Sequence, residues 1–280
     1  MKKLFMLVCA MMFVVGCSSN EKNQPESLAD GILTVGMECD YSPYNWTTTD
    51  QLKGDEAYQI FDSTSYCEGY DVEIAKRMAE ELNVTLEIKK ISWDGLIPAL
   101  KSSQIDAIIA GMSPTEERKQ SISFSDAYYK DNPKQILIVN KNSKYAKSQT
   151  LNDFEGARIT AQQGTLQVGL LKQIAGLQET AALPDYVSLI QALNAQTIDG
   201  YIAEFAVATE HVSVNKDFVM INFSPENDFV LAESDTTTAI GIRKDDQQLQ
   251  SALNEALAKI GDDERVNIMN KYIERTKGME

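Results

Sequence analysis

The sequence predicts an α/β fold with parallel strands, arranged as two similarly built lobes. Two observations carry this expectation. Short apolar runs alternate with amphipathic helical patterns along the chain, the signature of strand-helix-strand units. The stretch Ala99-Leu-Lys-Ser-Ser-Gln-Ile-Asp-Ala-Ile-Ile-Ala110 also aligns without gaps on Ala192-Leu-Asn-Ala-Gln-Thr-Ile-Asp-Gly-Tyr-Ile-Ala203, with six identities in twelve positions. Length agrees: 280 residues suffice for two units that each bury a core. With 43% hydrophobic residues the chain is not disordered, and 26 Lys plus Arg against 41 Asp plus Glu, a net charge of -15, leaves no basic block for nucleic acid. The single histidine, His211, is read as a packing residue rather than a catalyst or metal ligand.

In chain order, Ile32–Met37 reads as a strand. A helix follows Gly69-Tyr70-Asp71, with Val72, Ala75, Met78, Ala79 and Leu82 on one face. Val84–Ile88 is the next strand. A helix opens at Trp93-Asp94-Gly95, with Asp94 as its N-cap and Pro98 in its early turns, and feeds the strand Ile105–Ala110. The second half gives a strand at Arg158–Ala161, helices at Leu166–Ile174 and Val187–Ala195, and a strand at Asp199–Ala203. Helices Gln247–Ile260 and Asp262–Thr276 close the chain.

The N-terminus reads as a targeting segment. Lys2 and Lys3 precede an apolar run from Leu4 to Val15. At about 12 residues it suits a signal peptide and is short of the roughly 20 that span a bilayer. It ends in Val14-Val15-Gly16-Cys17, which resembles a bacterial lipobox. Residues 1–16 are therefore expected to be cleaved, Cys17 to carry lipid that anchors the protein outside the cytoplasm, and residues 17–30 to form a flexible tether. Cys39 and Cys67 remain, and two readings stay open for them, a disulfide or two unpaired buried thiols.

Ligands of open α/β sheets bind beyond the carboxyl ends of strands, so the two repeat copies point to Gly111-Met112-Ser113 and to Glu204. The first copy offers backbone N–H groups at a turn into a helix, the Ser113 hydroxyl and, five residues on, the Arg118 guanidinium, a set suited to a carboxylate. The second offers Glu204 directly after an apolar strand, where a charge needs a partner. A ligand carrying a carboxylate beside an ammonium bridges the two, and an α-amino acid is such a ligand.

The chain resembles the extracytoplasmic solute-binding proteins of family 3, the polar amino acid receptors of ABC transporters. The likeness rests on Gly69-Tyr-Asp-Val-Glu-Ile-Ala-Lys76, Trp93-Asp-Gly-Leu-Ile-Pro-Ala-Leu100, the run from Ile105 through Gly-Met-Ser-Pro-Thr-Glu-Glu to Arg118, and Ser123-Phe-Ser-Asp-Ala-Tyr-Tyr129. It implies a two-lobed periplasmic-binding fold of type II with two hinge strands, near Lys134–Val139 and Thr237–Ile242. Lobe one is then 31–134 together with the return segment 237–280, and lobe two is 135–236. It also implies that Arg118, Ser113 and the backbone around Gly111 and Met112 hold the ligand carboxylate, aided by Gln163-Gly164-Thr165, and that Glu204 pairs with the ammonium. Tyr41 and Trp93 fall where residues flank the ligand side chain, and Glu38, five residues before Pro43, where receptors for basic amino acids and glutamine carry an acid. The ligand order expected is arginine, then lysine or histidine, then glutamine.

The resemblance implies partners: a free L-amino acid, a permease with its ATPase, and a membrane reached through the lipid. No cofactor is expected, and a monomer is. Two other classes remain open at this point. Dehydratases acting on prephenate share the fold, and Glu38 or Glu204 could serve as their acid; a surface sensor or adhesin could also borrow it.

Overall fold

The structure is a computed structural model and describes residues 24–49, 56–130 and 134–277. The signal segment, Cys17 and the first part of the tether lie outside the described residues. A short 3-10 turn at Glu26–Leu28 places Leu28 in the core.

The first strand, β1 (Ile32–Met37), is followed by four short strands, β2 (Asp40–Tyr41), β3 (Asn45–Thr48), β4 (Ala57–Gln59) and β5 (Tyr66–Glu68). These four pair as a small antiparallel sheet in the order β2-β3-β5-β4. Helix α1 (Tyr70–Leu82) then buries Val72, Ile74, Ala75, Met78 and Ala79 and ends on a left-handed Asn83. Next come β6 (Thr85–Lys90), α2 (Trp93–Lys101), β7 (Ala107–Ile108), the single-turn α3 (Glu116–Lys119) and β8 (Ser123–Lys130).

The chain then passes to a second sheet. It holds β9 (Gln135–Asn140), β10 (Ile159–Thr160), and, after α4 (Leu166–Leu170) and α5 (Tyr186–Asn194), β11 (Gly200–Glu204). Helix α6 (Phe205–Val214) leads to β12 (Phe218–Ile221), and the sheet order is β10-β11-β9-β12. The return strand β13 (Thr237–Ile242) rejoins the first sheet, whose order is β6-β1-β7-β13-β8, and α7 (Gln247–Leu257) and α8 (Asp262–Lys277) follow. Crossings therefore run between β8 and β9 and between β12 and β13.

The repeat is geometric as well as sequential. Each copy ends its helix on a left-handed residue at the same position, Ser103 and Gln196, with φ of 58° and 56°. In each, the Asp carboxylate accepts the backbone N–H of the neighbouring strand, Thr34 to Asp106 at 3.0 Å and Arg158 to Asp199 at 2.8 Å. Each Asp also pairs with an arginine, Arg243 and Arg158 respectively. The shared Ile-Asp turn thus locks the start of the strand whose far end carries site residues.

Some elements differ from expectation. The N-cap of α2 is Ser92, not Asp94, whose carboxylate instead accepts the Ser92 hydroxyl at 2.8 Å. The strand expected over Ile105–Ala110 pairs regularly only at Ala107–Ile108, because the chain turns toward the cleft beyond it. The helix expected over Leu166–Ile174 is α4 followed by a 3-10 turn at Leu171–Gln173. His211 is buried in α6, 2.9 Å from the Tyr201 hydroxyl through Nδ1, and burial pulls its pKa down to about 3, so the ring is neutral.

Cys39 and Cys67 are joined by a disulfide with Cα atoms 5.7 Å apart, tying the turn after β1 to β5. Beside it, the buried carboxylate of Glu68 pairs with Arg275 of α8 at 2.5 Å, so the small sheet is anchored to the C-terminal helix. The bridge spans 28 residues. Such a loop is worth about 3 to 4 kcal/mol in the chain-entropy account. The double substitution Cys39→Ala/Cys67→Ala is expected to lower the urea midpoint, and dithiothreitol to lower the wild type to the same level while leaving the variant unmoved. A wild-type midpoint indifferent to reductant contradicts this.

Candidate functional site

The carboxyl ends of the strands deliver the predicted residues to one place. Glu38 follows β1, Tyr41 lies in β2, and Trp93 starts α2 after β6. Beyond β7 the chain gives Gly111 and Ser113, and Arg118 in α3. From the other sheet come Thr165 at the start of α4 and Glu204, the last residue of β11 and the N-cap of α6. These eight residues, together with Gln162, Leu166, Gln167 and Tyr186, line a single cavity between the sheets of about 20 Å³. That volume holds about one water. The two walls consequently meet each other's polar groups, and any larger ligand must take over those contacts.

The contacts across the cleft are specific. The Tyr41 hydroxyl donates to Glu204 Oε2 at 2.7 Å, and Gln162 Nε2 donates to Glu38 Oε1 at 2.7 Å. The Gly164 carbonyl accepts both Trp93 Nε1–H at 3.0 Å and Arg118 Nη2–H at 3.3 Å. Tyr186 stacks on Tyr41 with ring centroids 5.5 Å apart, and Tyr44 stacks on its other face at 5.0 Å. Arg118 is held in place by three further features: its Nη1 donates to the Ser113 carbonyl at 2.9 Å, its guanidinium lies 5.0 Å from the Trp93 ring centroid, and its backbone N–H is capped by the Thr115 hydroxyl. Cation-ring packing of this kind favours arginine over lysine at the position.

The electrostatics follow from burial. The Glu38 carboxyl is pushed up to about 7, first by desolvation, then by the charges of Asp40 and Asp185; the Gln162 hydrogen bond and the Trp93 backbone N–H pull it down. Burial lowers the Arg118 pKa, and the charge of Glu204 works against that loss. The Tyr41 hydroxyl is held well above its ordinary range by burial and by Glu204, so it is a proton donor to that carboxylate and not a phenolate. The wall of the first sheet thus presents a cation, Arg118, and an acid, Glu38. The second sheet presents an acid opposite.

Three expectations are corrected. Met112 does not line the cavity: it is buried in the core, and its carbonyl accepts Ala239 N–H at 3.0 Å, which ties the loop to β13. Gln163 is exposed, and its neighbour Gln162 is the buried residue that reaches Glu38. Ile159, Thr160, Ala161 and Gln162 are all buried and Gln163 is exposed, so no alternation along β10 tells the two glutamines apart. The Gly111 N–H is not offered to a ligand, because it donates to Tyr128 Oη at 2.9 Å. Gly111 serves instead by what it lacks, since at φ 60° a Cβ there would sit 2.7 Å from the Tyr41 ring. Tyr186 was not legible in the sequence, as it opens a helix like any buried aromatic.

Among the described residues no helix is long and apolar enough to cross a membrane. Residues 33–275 match the bacterial extracellular solute-binding proteins, family 3. The arginine-binding extracellular protein ArtP of Bacillus subtilis (strain 168) is 28% identical over 279 residues, covering 97% of each chain. A probable histidine-binding protein of Campylobacter jejuni is 30% identical over 80% of each. The solved amino acid ABC transporter substrate-binding protein AbpA of Streptococcus pneumoniae, bound to L-arginine, superposes with a TM-score of 0.73 at 26% identity, over 88% of this chain and 96% of that one. The matched family and relatives are binding proteins rather than enzymes, which removes the dehydratase alternative. The chain has a two-lobed α/β fold and belongs to the bacterial extracellular solute-binding proteins of family 3.

Proposed function

We propose that this protein captures a basic L-amino acid, arginine ahead of lysine or histidine and glutamine last, by closure of its two lobes, and hands it to the permease of an ABC importer. The observation that carries the reading is the charge set around the cleft: Arg118 bonded to the Ser113 carbonyl on one wall, Glu204 from the other acting on Arg118, and Glu38 held by Gln162. Arginine carries the complementary set, a carboxylate and an ammonium on one carbon and a guanidinium at the end of a flexible chain. Arg118 binds the carboxylate with Ser113 and Thr165 as hydroxyl donors, Glu204 exchanges the Tyr41 hydroxyl for the ammonium, and Glu38 exchanges the Gln162 amide for the side-chain cation. Each lobe supplies only part of this set, so closure is favoured when the ligand engages both. Relatives named as arginine-binding and histidine-binding proteins support a basic ligand.

The Lys2-Lys3 start, the apolar run and Gly16-Cys17 support cleavage before Cys17 and a lipid anchor there, with the lobes monomeric and extracytoplasmic beside the permease. Lobe one then comprises 31–134 with 237–280, and lobe two 135–236.

Arg118→Ala and Glu204→Ala each leave a charge of the bound zwitterion buried without its partner, which costs about 2 to 5 kcal/mol. Calorimetry is expected to record at least a roughly 30-fold rise in the arginine Kd for each; wild-type affinity in either variant removes that residue from the site. The raised carboxyl of Glu38 gives a second test. A cation stabilises the carboxylate, so the bound-state pKa lies below the free value of about 7. Affinity is then greatest above pH 7 and falls as pH drops through and below it, by at most about tenfold per pH unit. Glu38→Gln should flatten this profile, and an identical slope in the variant contradicts the role given to Glu38.

A further inference from the structure

Asp71 lines no part of the cavity, yet it is a fully buried acid close to it, the second residue of α1. An ionised group in that setting is costly unless its oxygens are hydrogen-bonded. Both are. Oδ1 accepts the Tyr128 hydroxyl at 2.7 Å, and Oδ2 accepts Asn45 Nδ2–H at 2.7 Å. Each donor passes the connection on: Tyr128 Oη accepts the Gly111 N–H at 2.9 Å, and Asn45 Oδ1 accepts the Cys39 N–H at 2.7 Å. The two arms therefore end on the backbone of the two loops that carry the lobe-one site residues. Gly111 stands two residues before Ser113, and Cys39 directly follows Glu38 and precedes Tyr41 by two.

Both end points need holding. Cys39 and Gly111 have φ of 52° and 60°, the left-handed region that a non-glycine residue such as Cys39 seldom occupies. The loops also touch, since the Tyr41 ring packs over Gly111 where a Cβ would stand.

We infer that Asp71 is the positioning residue of the lobe-one wall, a single buried carboxylate that fixes the carboxylate-binding loop through Tyr128 and the side-chain-binding loop through Asn45. The direction of the arms requires an acceptor-only group. A carboxylate accepts on both oxygens, so the Tyr128 hydrogen points to Asp71 and leaves a lone pair for Gly111, while the Asn45 amide turns its NH₂ to Asp71 and its oxygen to Cys39. Asp71→Asn keeps the size but turns a donor toward one of these donors, so both arms cannot be satisfied at once. Burial pushes the Asp71 carboxyl up to about 7, and the hydrogen bonds from Tyr128 and Asn45 and the Gly111 backbone work in the opposite direction, with the charge of Glu204 adding to the rise.

The arms are separable, which makes the inference testable in the ligand-free full-length protein. Amide hydrogen exchange read by ¹H–¹⁵N spectra is expected to accelerate at Gly111 but not at Cys39 in Tyr128→Phe, and at Cys39 but not at Gly111 in Asn45→Ala. Asp71→Asn is expected to accelerate exchange at Gly111 or at Cys39, whichever lies on the arm that meets the new NH₂ group. Binding supplies a second readout, which rests on the basic amino acid reading. Tyr128→Phe should raise the Kd for arginine and for lysine by a common factor of about tenfold, as loss of one hydrogen bond in a charged network gives. Asn45→Ala should change the ratio of the two, because its arm ends beside Glu38. If wild type binds neither amino acid, the ligand reading fails and the exchange data still decide the inference. Wild-type protection at both amides in Asp71→Asn overturns it, as does a Tyr128→Phe variant that changes the arginine to lysine ratio. Should Asp71→Asn not fold, the two single-arm variants, checked by circular dichroism, carry the test alone.

Discussion

The seam between the lobes is organised by the cost of burying charge. Glu38 is buried and Arg118 and Glu204 are half-buried, and each is matched by a group on the facing wall: the Gln162 amide, the Gly164 carbonyl and the Tyr41 hydroxyl respectively. Neutral dipoles offset desolvation only in part, as the Glu38 carboxyl pushed up to about 7 illustrates. A ligand with the complementary formal charges does better, because charge-assisted hydrogen bonds are the stronger ones. The closed seam thus describes, in negative, the solute it takes.

Precision of this kind depends on backbone held in unusual conformations on both sides. In the first lobe the left-handed turns at Cys39 and Gly111 are fixed by the disulfide and by the buried network centred on Asp71. In the second, Gly164 is left-handed at φ 73° and turns its carbonyl to two lobe-one donors. The Met112 carbonyl is also paired with Ala239, so the cleft loop is tied directly to the return strand β13.

Much of this was legible in the residues, for physical reasons that differ from place to place. The repeat was readable because one packing problem, a helix turning back into a buried strand, has one economical solution, the Ile-Asp turn whose carboxylate caps the neighbouring strand at Thr34 and Arg158. The convergence of Arg118, Glu204 and Ser113 on one cavity was readable because they follow the strand ends of the two repeat copies and charges there need partners, and Trp93 was placed beside them by the family resemblance. Gln162 was missed by one position, since no alternation along β10 tells the tandem glutamines apart. The roles of Gly111 and Met112 were misassigned because a motif does not say whether a backbone N–H faces a ligand or a buried tyrosine. The pairing of Asn45 and Tyr128 with Asp71 left no trace, as the partners are 26 and 57 residues apart in the chain.

In the proposed function, recognition of one amino acid is divided between the lobes, the side chain on the first, the ammonium on the second, and the carboxylate on Arg118 and Ser113 of the first with Thr165 of the second. Calorimetric titration of the wild-type protein with L-arginine, with agmatine, which lacks the carboxylate, and with 5-guanidinopentanoate, which lacks the ammonium, tests it most directly. Divided recognition gives tight binding of arginine and a loss of roughly 30-fold or more for each of the other two, since each analogue withholds one of the two charges that arginine brings to Arg118 and Glu204. Agmatine or 5-guanidinopentanoate binding as tightly as arginine would contradict it.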